Sequence, residues 1–230
     1  MSGPTAILVA LREEERAVER RLPEDARAIL VRSGIGKERA ERCAAALIER
    51  ERPRFLIVAG FGGAARDGLA AGSVIVASEV VEPGGSSWRT SGDLVSLALR
   101  AGAPAVQEGK LATVDRLHGT EDEKRRLGLA VGADAVDMES SGAARAAART
   151  GVPFLCIRAV FDEIGFELPF DPSRMLTPEG EVRPVDALRE ILSRPGGIFR
   201  LPALRSRARE AGRALGMVVA AIVREAARLS

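Results

Sequence analysis

Residues 135–163 read AVDMESSGAARAAARTGVPFLCIRAVFDE, and this stretch decides the fold. Ala135-Val136 is short and apolar, and it runs into an Ala-rich segment of helical character at residues 139–150. A second apolar run, residues 153–160, has the composition of a buried strand and stops at Phe161-Asp162. A strand, a helix and a second strand in this order are typical of α/β domains.

The rest of the chain repeats this alternation of strand and helix. Strands are expected at residues 6–11, 28–31, 55–59 and 73–81, the last two of a buried type, and residues 37–51 carry apolar side chains at helical spacing. Loops are expected at residues 83–92 and 165–181, which are rich in Gly, Pro, Ser or Asp. The sequence therefore predicts an α/β fold with a mixed, mostly parallel central sheet flanked by helices.

The C-terminal part of the chain has a purely helical pattern. Helices are expected at residues 185–192 and 202–229, the second with a break near Gly212. We therefore expect an α/β domain over residues 1–185 and a C-terminal helical extension, residues 186–230, packed on it.

Composition excludes several classes of protein. Hydrophobic residues make up 46% of the 230 residues, but aromatic residues only 3%, so the core must be aliphatic. A net charge of +2 gives no general case for nucleic-acid binding. Cys43 and Cys156 lie in apolar runs and are expected to be buried free thiols. No His/Cys cluster has metal-ligand spacing, so no metal is expected.

The C-terminal extension is basic, with eight Arg and two acidic residues from Arg194 onward. Such a helix could contact an acidic surface or anionic lipid, or it could be a solvated helix face. The chain has neither a signal-peptide pattern at its start nor an apolar run long enough to span a bilayer. We therefore expect a cytoplasmic protein that is able to contact the membrane peripherally.

Three predicted strands end in residues that can do chemistry. The segments that follow these strands are Gly60-Phe61-Gly62-Gly63, Asp137-Met138-Glu139 and Asp162-Glu163. Ligands of open α/β sheets bind at the carboxyl ends of the strands. Glycines let a ligand approach the backbone closely, and a carboxylate can accept hydroxyl hydrogen bonds or hold a proton. Their joint placement predicts a small-molecule site.

Three stretches of the chain resemble the nucleoside phosphorylase and nucleosidase superfamily, of the methylthioadenosine/S-adenosylhomocysteine nucleosidase type. They are Ser33-Gly34-Ile35-Gly36-Lys37, then residues 60–64 with 69–76, and then residues 136–141 with 152–154 and 158–162. Their order and spacing match the family across about residues 5–165. The resemblance implies an enzyme that cleaves the N-glycosidic bond of a purine nucleoside, and it implies a homo-oligomer.

The resemblance also implies roles for single residues. Asp162 corresponds to the Asp that protonates purine N7 as the bond breaks, and burial can raise the pKa of such a donor. Glu139 corresponds to the Glu that binds the ribose 2′-hydroxyl, and Met138 to a Met that packs beneath the sugar. Asp137, in the same motif, is expected to bind substrate as well.

The attacking group is left open between water and phosphate. In Arg12-Glu13-Glu14-Glu15-Arg16, the resemblance assigns Glu15 as the catalytic base that activates water. It assigns Arg16 as a phosphate-binding residue, together with Gly60, so that inorganic phosphate is a possible co-substrate and no other cofactor is expected. Glu13 and Glu14 are expected to be solvated.

The remaining site residues lie around the sugar and the base. Gly60, Phe61 and Gly62 are expected to line the space beneath the sugar, although many family members have Ser or Thr at the position of Phe61. Leu117 corresponds to an aromatic residue that stacks on the purine in nucleosidases. His118 lies beside it and is expected to act through its backbone.

A narrower resemblance, to the hopanoid-associated phosphorylases, is carried by further residues: Val114-Asp115, Thr120, Lys124, Phe170-Asp171-Pro172, residues 180–184, Leu188, Arg194-Pro195 and residues 201–204. It implies a lipid-linked adenine nucleoside such as adenosylhopane. The alternative is a binding module of the same fold that has lost activity and docks on a membrane or partner through its basic tail.

Overall fold

The computed structural model describes residues 3–101, 106–116, 120–166, 177 and 197–228. The strands within these residues are β1 (Thr5–Val9), β2 (Ala28–Arg32), β3 (Phe55–Ala64), β4 (Val74–Val81), β5 (Ser87–Arg89), β6 (Val106–Thr113), β7 (Ala135–Asp137) and β8 (Phe154–Asp162). The helices are α1 (Arg12–Glu19), α2 (Lys37–Glu51), α3 (Gly92–Ala101), α4 (Glu121–Val131), α5 (Ser140–Thr150) and α6 (Gly197–Arg228).

The strands form one sheet that closes on itself. They pair in the order β2-β1-β3-β7-β6-β4-β5, and β8 pairs with both β3 and β4. Because β8 bridges these two strands, it completes a ring with β3, β4, β6 and β7, and β1, β2 and β5 extend from that ring. β8 runs parallel to β3 and antiparallel to β4. The predicted mixed, mostly parallel sheet flanked by helices is confirmed.

Two apolar layers cover the sheet. On one side, α2 and α5 contribute small side chains that are fully or almost fully buried, among them Ala40, Ala44, Leu47, Ala143 and Ala147. On the other side, α1, α3 and α6 contribute Val18, Leu94, Leu215, Val219 and Ile222. The core is therefore built mainly from aliphatic side chains, as the low aromatic content predicts, although Phe55 and Phe154 are buried in it as well. Cys156 is buried as expected, whereas Cys43 is only half-buried; both thiols are free.

Helix α6 is continuous from Gly197 to Arg228, so the expected break near Gly212 is wrong. Gly212 and Gly216 lie where α6 crosses α1, and a Cβ on Gly216 would stand 2.2 Å from the carbonyl oxygen of Ala17. These glycines therefore permit close helix packing instead of ending the helix. The expected boundary between residues 185 and 186, and the expected helix at 185–192, lie outside the described residues.

Two other local expectations are corrected. The segment Gly60-Phe61-Gly62-Gly63 is not a turn after a strand but the end of β3. This strand continues to Ala64 because β8 pairs with it as far as Gly63 and β7 pairs with Gly63 and Ala64. The expected loop at residues 83–92 contains the short strand β5, which pairs with β4. Most of the expected loop at residues 165–181 lies outside the described residues. Among the helices that are described, none is both long enough and apolar enough to cross a membrane.

Candidate active site

Three strand ends meet at the glycine segment of β3, by which we mean Gly60-Phe61-Gly62-Gly63. In the pairing of β3 with β8, Gly60 lies opposite Arg158 and Gly63 opposite Asp162. In the pairing of β3 with β7, Gly63 lies opposite Val136. The glycine segment and the two acidic segments are therefore neighbours, and their joint placement forms one candidate site.

Glu14 reaches this site from the first turns of α1 and is only 2% exposed. Its Oε1 accepts a 2.7 Å hydrogen bond from the backbone N–H of Phe61, and its Oε2 accepts 2.8 Å hydrogen bonds from those of Ala10 and Leu11. Burial raises the pKa of the Glu14 carboxyl, although the backbone hydrogen bonds and Arg158 oppose that rise. A buried carboxyl whose pKa is raised in this way is suited to take up a proton.

The expectation that Glu14 is solvated is wrong. Successive helical residues turn by about 100°, and in α1 this places Glu14 and Val18 on the buried face. Glu15 is half-exposed, and its Oε2 lies 3.3 Å from Nε of Arg32. Arg16 is exposed. The structure thus brings Glu14, and not Glu15 or Arg16, into contact with the glycine segment.

Gly60 leaves room for two charged groups. A Cβ on Gly60 would stand 2.9 Å from Oε1 of Glu14 and 3.2 Å from Nη1 of Arg158. A Cβ on Gly62 would stand 3.0 Å from the carbonyl oxygen of Val136 and 3.2 Å from Cβ of Arg158. The glycines therefore allow β3 to lie directly against the carboxyl of Glu14 and the guanidinium of Arg158.

Phe61 turns its side chain away from Glu14. Successive residues of a strand point to opposite faces, and the ring of Phe61 packs in the layer that contains α6, with its centroid 6.0 Å from that of Phe161. A Cβ on Gly212 would stand 3.7 Å from Cζ of Phe61. Phe61 therefore contributes its backbone N–H to the site, while its side chain belongs to the apolar layer.

Arg158 is a buried cation for which the sequence suggested no role. Its Nε lies 2.8 Å from Oδ2 of Asp137. The hydroxyl of Thr113 donates a 2.8 Å hydrogen bond to Oδ1 of the same carboxylate, and the backbone N–H of Ser140 donates one of 3.2 Å. Asp137, which was expected to bind substrate, is thus engaged with Arg158 and with the start of α5. An Arg within an otherwise apolar strand was the available signal, since a buried charge needs a partner.

Glu139 lies directly before α5 and reaches the N-terminus of α2. Its Oε1 accepts a 3.0 Å hydrogen bond from the backbone N–H of Gly36, so the structure brings the Ser-Gly-Ile-Gly motif to this carboxyl. Burial, reinforced by the nearby Asp137 carboxylate, raises the pKa of Glu139 to about 7. Met138, between these two acidic residues, is half-buried.

Asp162 ends β8 and is 7% exposed. Oδ2 of Asp162 contacts the ammonium group of Lys124 on α4, and a Cβ on Gly63 would stand 3.1 Å from its Oδ1. Burial raises the pKa of the Asp162 carboxyl, and the charge of Lys124 opposes that rise. Such a carboxyl is able to hold a proton and deliver it to a leaving group.

The expected base-side residues Leu117 and His118 lie outside the described residues. The chain just before them is held by Asp115, whose carboxylate lies 2.7 Å from Nζ of Lys37. This ion pair connects the end of β6 to the first turn of α2, the same turn that lies beside Glu139. The end of β6 and Glu139 are therefore connected through α2.

The arrangement as a whole is suited to acid–base chemistry. Glu14 lies at Gly60 and Asp162 at Gly63, so two buried carboxyls of raised pKa lie at different points of one glycine segment. Two carboxyl groups in different surroundings can act as a base and as an acid in one reaction.

Comparison with known proteins identifies the family of the chain. The family model described as the phosphorylase superfamily matches residues 13–174. The 5′-methylthioadenosine/S-adenosylhomocysteine nucleosidase of Geobacillus thermodenitrificans is 30% identical over 164 residues, which cover 61% of this chain and 68% of that protein.

Two solved structures share the fold. The 5′-methylthioadenosine/S-adenosylhomocysteine nucleosidase of Campylobacter jejuni superposes with a TM-score of 0.73 at 20% identity, covering 99% of this chain and 100% of that one. The futalosine hydrolase of Helicobacter pylori superposes with a TM-score of 0.70 at 18% identity, covering 94% and 97%. The expected enzyme class, a phosphorylase or nucleosidase, agrees with these relatives. The chain belongs to the phosphorylase superfamily.

Proposed function

We propose that this protein cleaves the N-glycosidic bond of an adenine nucleoside and releases adenine, with water as the attacking group. The observation that carries the proposal is the buried carboxyl of Glu14 lying directly against Gly60 and the N–H of Phe61. The names of the relatives, which are nucleosidases of methylthioadenosine and S-adenosylhomocysteine, support the purine nucleoside as the substrate class.

Glu14 takes the role of base that the sequence pattern assigned to Glu15. Water must lose a proton as it attacks, so a base has to lie within hydrogen-bonding reach of it. Glu14 is held by three backbone N–H groups, which leave its carboxyl rigid and aimed at the glycine segment. Glu15 is half-exposed and already paired with Arg32, so it lacks both the burial and the position.

Glu139 and Met138 hold the ribose in this proposal. Cleavage of a glycosidic bond passes through an oxocarbenium-like state, in which hydrogen bonds to the 2-hydroxyl strengthen. Glu139 must be ionised to accept such a bond fully, and its pKa of about 7 places that ionisation near neutral pH. Asp137 acts indirectly, because it holds Arg158 and the N–H groups at the start of α5.

Asp162 supplies the proton to the leaving purine. As the C1′–N9 bond breaks, its electron pair moves onto the purine, and a proton delivered to N7 neutralises the developing charge. The raised pKa of Asp162 favours a protonated carboxyl before the reaction. Contact of the purine with Leu117 and His118 is proposed from the resemblance to the family alone.

Water is favoured over phosphate by the placement of cations. An attacking phosphate needs a cation that is free to hold it, and Arg16, the expected phosphate-binding residue, is exposed on α1. Arg158 lies beside Gly60, but its Nε already faces the carboxylate of Asp137. Glu14 would also repel a phosphate dianion at Gly60.

For the substrate's 5′ group, we propose an apolar substituent, with a lipid-linked nucleoside such as adenosylhopane as the specific candidate. The narrower resemblance of the sequence to the hopanoid-associated phosphorylases supports this candidate. Contact with an anionic membrane is proposed for the exposed Arg205, Arg209 and Arg213, which recur every four residues along α6. A homo-oligomer is proposed as well, from the resemblance to the family.

The deciding experiment measures adenine release from adenosine, methylthioadenosine and an adenosine with a long apolar 5′ substituent, each with and without inorganic phosphate. We expect release without phosphate, with the free sugar as the second product: ribose from adenosine, and the 5′-substituted ribose from the other two substrates. A strict phosphate requirement, with the corresponding sugar 1-phosphate as the product, would refute water as the attacking group. Nucleoside binding without any release would favour an inactive binding module instead.

A further inference from the structure

Lys124 is a buried lysine in the first turn of α4. The helix begins after Thr120, whose hydroxyl accepts a 3.3 Å hydrogen bond from the N–H of Glu123. Farther along, a Cβ on Gly128 would stand 2.2 Å from the carbonyl oxygen of Ala65, so α4 lies directly on the chain that follows the glycine segment. This packing fixes α4 and leaves Lys124 only 1% exposed.

The ammonium group of Lys124 has three oxygen partners. It contacts Oδ2 of Asp162, and it donates hydrogen bonds of 3.1 Å to the carbonyl oxygen of Glu163 and 3.0 Å to that of Phe166. An ammonium has three N–H donors, so these three oxygens use all of them. Lys124 thereby holds both the Asp162 carboxyl and the chain that leaves β8.

The choice of lysine at this position is unusual for this chain. Of its basic residues, 31 are Arg and only 3 are Lys. A guanidinium is planar and presents a rigid fork, whereas an ammonium is a compact charge with three donors around one atom. Three oxygens that converge on one point fit the ammonium and not the guanidinium.

We propose that Lys124 is a positioning residue for the reaction, which acts through Asp162: its ammonium fixes the carboxyl that faces the purine and stabilises the carboxylate that remains after the proton has left. This role rests on the proposed function of Asp162 as the acid. In the step itself, the proton leaves Asp162 for purine N7, the C1′–N9 electron pair moves onto the purine, and Lys124 keeps its own protons.

Two other charged groups lie near Asp162. Glu163 is its neighbour in the chain, and Arg207 reaches toward it from α6. Nη1 of Arg207 lies 2.9 Å from Oε1 of Glu163, so these two charges pair with each other. On β3, the residue facing Asp162 is Gly63, which carries no charge. Lys124 is therefore the cation in direct contact with the acid.

The first test is Lys124→Met, which keeps the length of the side chain and removes its charge. We expect kcat/KM to fall about 100-fold, as for a misplaced catalytic group, with the loss in kcat and little change in KM. The alkaline limb of the pH profile should move to higher pH, because Asp162 without its cation keeps its proton longer. The matched control is Lys110→Met, which removes a lysine paired with Glu79 on the surface of the sheet.

A structural role alone would give a different result. If Lys124 only anchors the chain after β8, activity falls but the alkaline limb stays in place, and that outcome overturns the proposal. Activity within threefold of wild type overturns it as well. If the wild type releases no adenine from any nucleoside, the proposed function fails, and the role of Lys124 fails with it. If the wild type is active and Lys124→Met is equally active, only the role of Lys124 is refuted.

A second measurement covers the case in which Lys124→Met does not fold. With three lysines in the chain, ¹⁵Nζ labelling of lysine gives three ammonium signals, which Lys37→Met and Lys110→Met assign. We expect slow hydrogen exchange for the Lys124 ammonium in the wild type, and faster exchange with a changed shift in Asp162→Asn. An identical Lys124 signal in the two proteins would show that the pair does not form, and would overturn the proposal.

Discussion

The backbone N–H of Phe61 donates a 2.7 Å hydrogen bond to Oε1 of Glu14, while the ring of Phe61 packs on the opposite face of β3. The contact that aims the carboxyl is therefore made by the main chain and does not depend on which side chain stands at position 61. This explains how the site can keep its carboxyl in place without the hydroxyl residue that many family members have there.

Glu14→Gln should lower kcat for adenine release by about 10²–10⁴-fold. The amide has nearly the same shape as the carboxyl group, but it cannot take a proton from water. Adenine release under saturating nucleoside measures this. The matched control is Glu15→Gln, one residue along the same helix, which should change kcat by less than about threefold, as expected for a surface substitution. If Glu15→Gln lost more kcat than Glu14→Gln, Glu15 and not Glu14 would be the base.

The choice between Glu14 and Glu15 shows where sequence reasoning stops. Three consecutive Glu residues point in three directions around a helix, and only the start of the helix and its docking decide which one is buried. The pattern pointed to the acidic turn but gave no indication of how this turn is rotated about the helix axis. That rotation follows from the packing of Val18 in the layer beneath α6, which is a tertiary contact.

Asp162→Asn should lower kcat/KM for adenosine-type substrates by about 10²–10⁴-fold, since the purine leaves poorly without a proton. A 4-nitrophenyl riboside has a leaving group that needs no proton, so the same variant should retain most of its activity on it. Glu14→Gln should lose activity on both substrates, because water must be activated in either case. Equal losses on both substrates for Asp162→Asn would argue against its role as the acid.

Glu139→Gln should reveal the pKa of about 7 in the pH dependence of stability. The folded state binds the Glu139 proton more tightly than the unfolded state, whose carboxyl has its ordinary pKa of 4.5. The contribution of the protonated Glu139 carboxyl to the free energy of unfolding is therefore largest below pH 4.5 and is lost as pH rises through about 7. The free energy of unfolding of the variant, relative to wild type, should rise by about 2 kcal/mol between pH 5 and pH 8.

Thermal unfolding at several pH values measures this difference, which corresponds to about 4–8 °C in Tm. The matched control is Glu163→Gln, because the pairing of Glu163 with Arg207 lowers its pKa and leaves it ionised in both states above pH 5. The free energy of unfolding of Glu163→Gln, relative to wild type, should stay constant between pH 5 and pH 8. If the free energy of unfolding of Glu139→Gln, relative to wild type, also stayed constant over this pH range, the raised pKa of Glu139 would be contradicted.

Gly216→Ala should destabilise the protein by about 2–4 kcal/mol, although alanine is ordinarily the better helix former. The added Cβ would stand 2.2 Å from the carbonyl oxygen of Ala17, so α6 would have to move away from α1. Urea unfolding measures the change. Gly92→Ala, at the start of α3 where a Cβ meets nothing within 4 Å, is the control and should change stability by less than about 1 kcal/mol.

The strand–helix alternation and the glycine and acidic motifs could be predicted from the sequence, because they are local patterns of residue type. The ion pair of Arg158 with Asp137 could not, because the two residues lie on different strands and meet only when the sheet has formed. Thr113, whose hydroxyl donates to Asp137, comes from a third strand. The length of β3 was missed for the same reason: pairing with β8 extends it through glycines that, by themselves, are typical of a turn. Contacts that are distant in sequence decided both features.

β8 joins β3 to β4 and carries Arg158 and Asp162 along its length. The strand that completes the ring is therefore also the strand that brings in the buried cation and the acid. A chain whose ring is still open lacks these groups at the glycine segment, whereas a chain whose ring is complete has them in register. Folding and assembly of the site should consequently occur in one cooperative step, with no long-lived species that has a finished sheet and an unformed site.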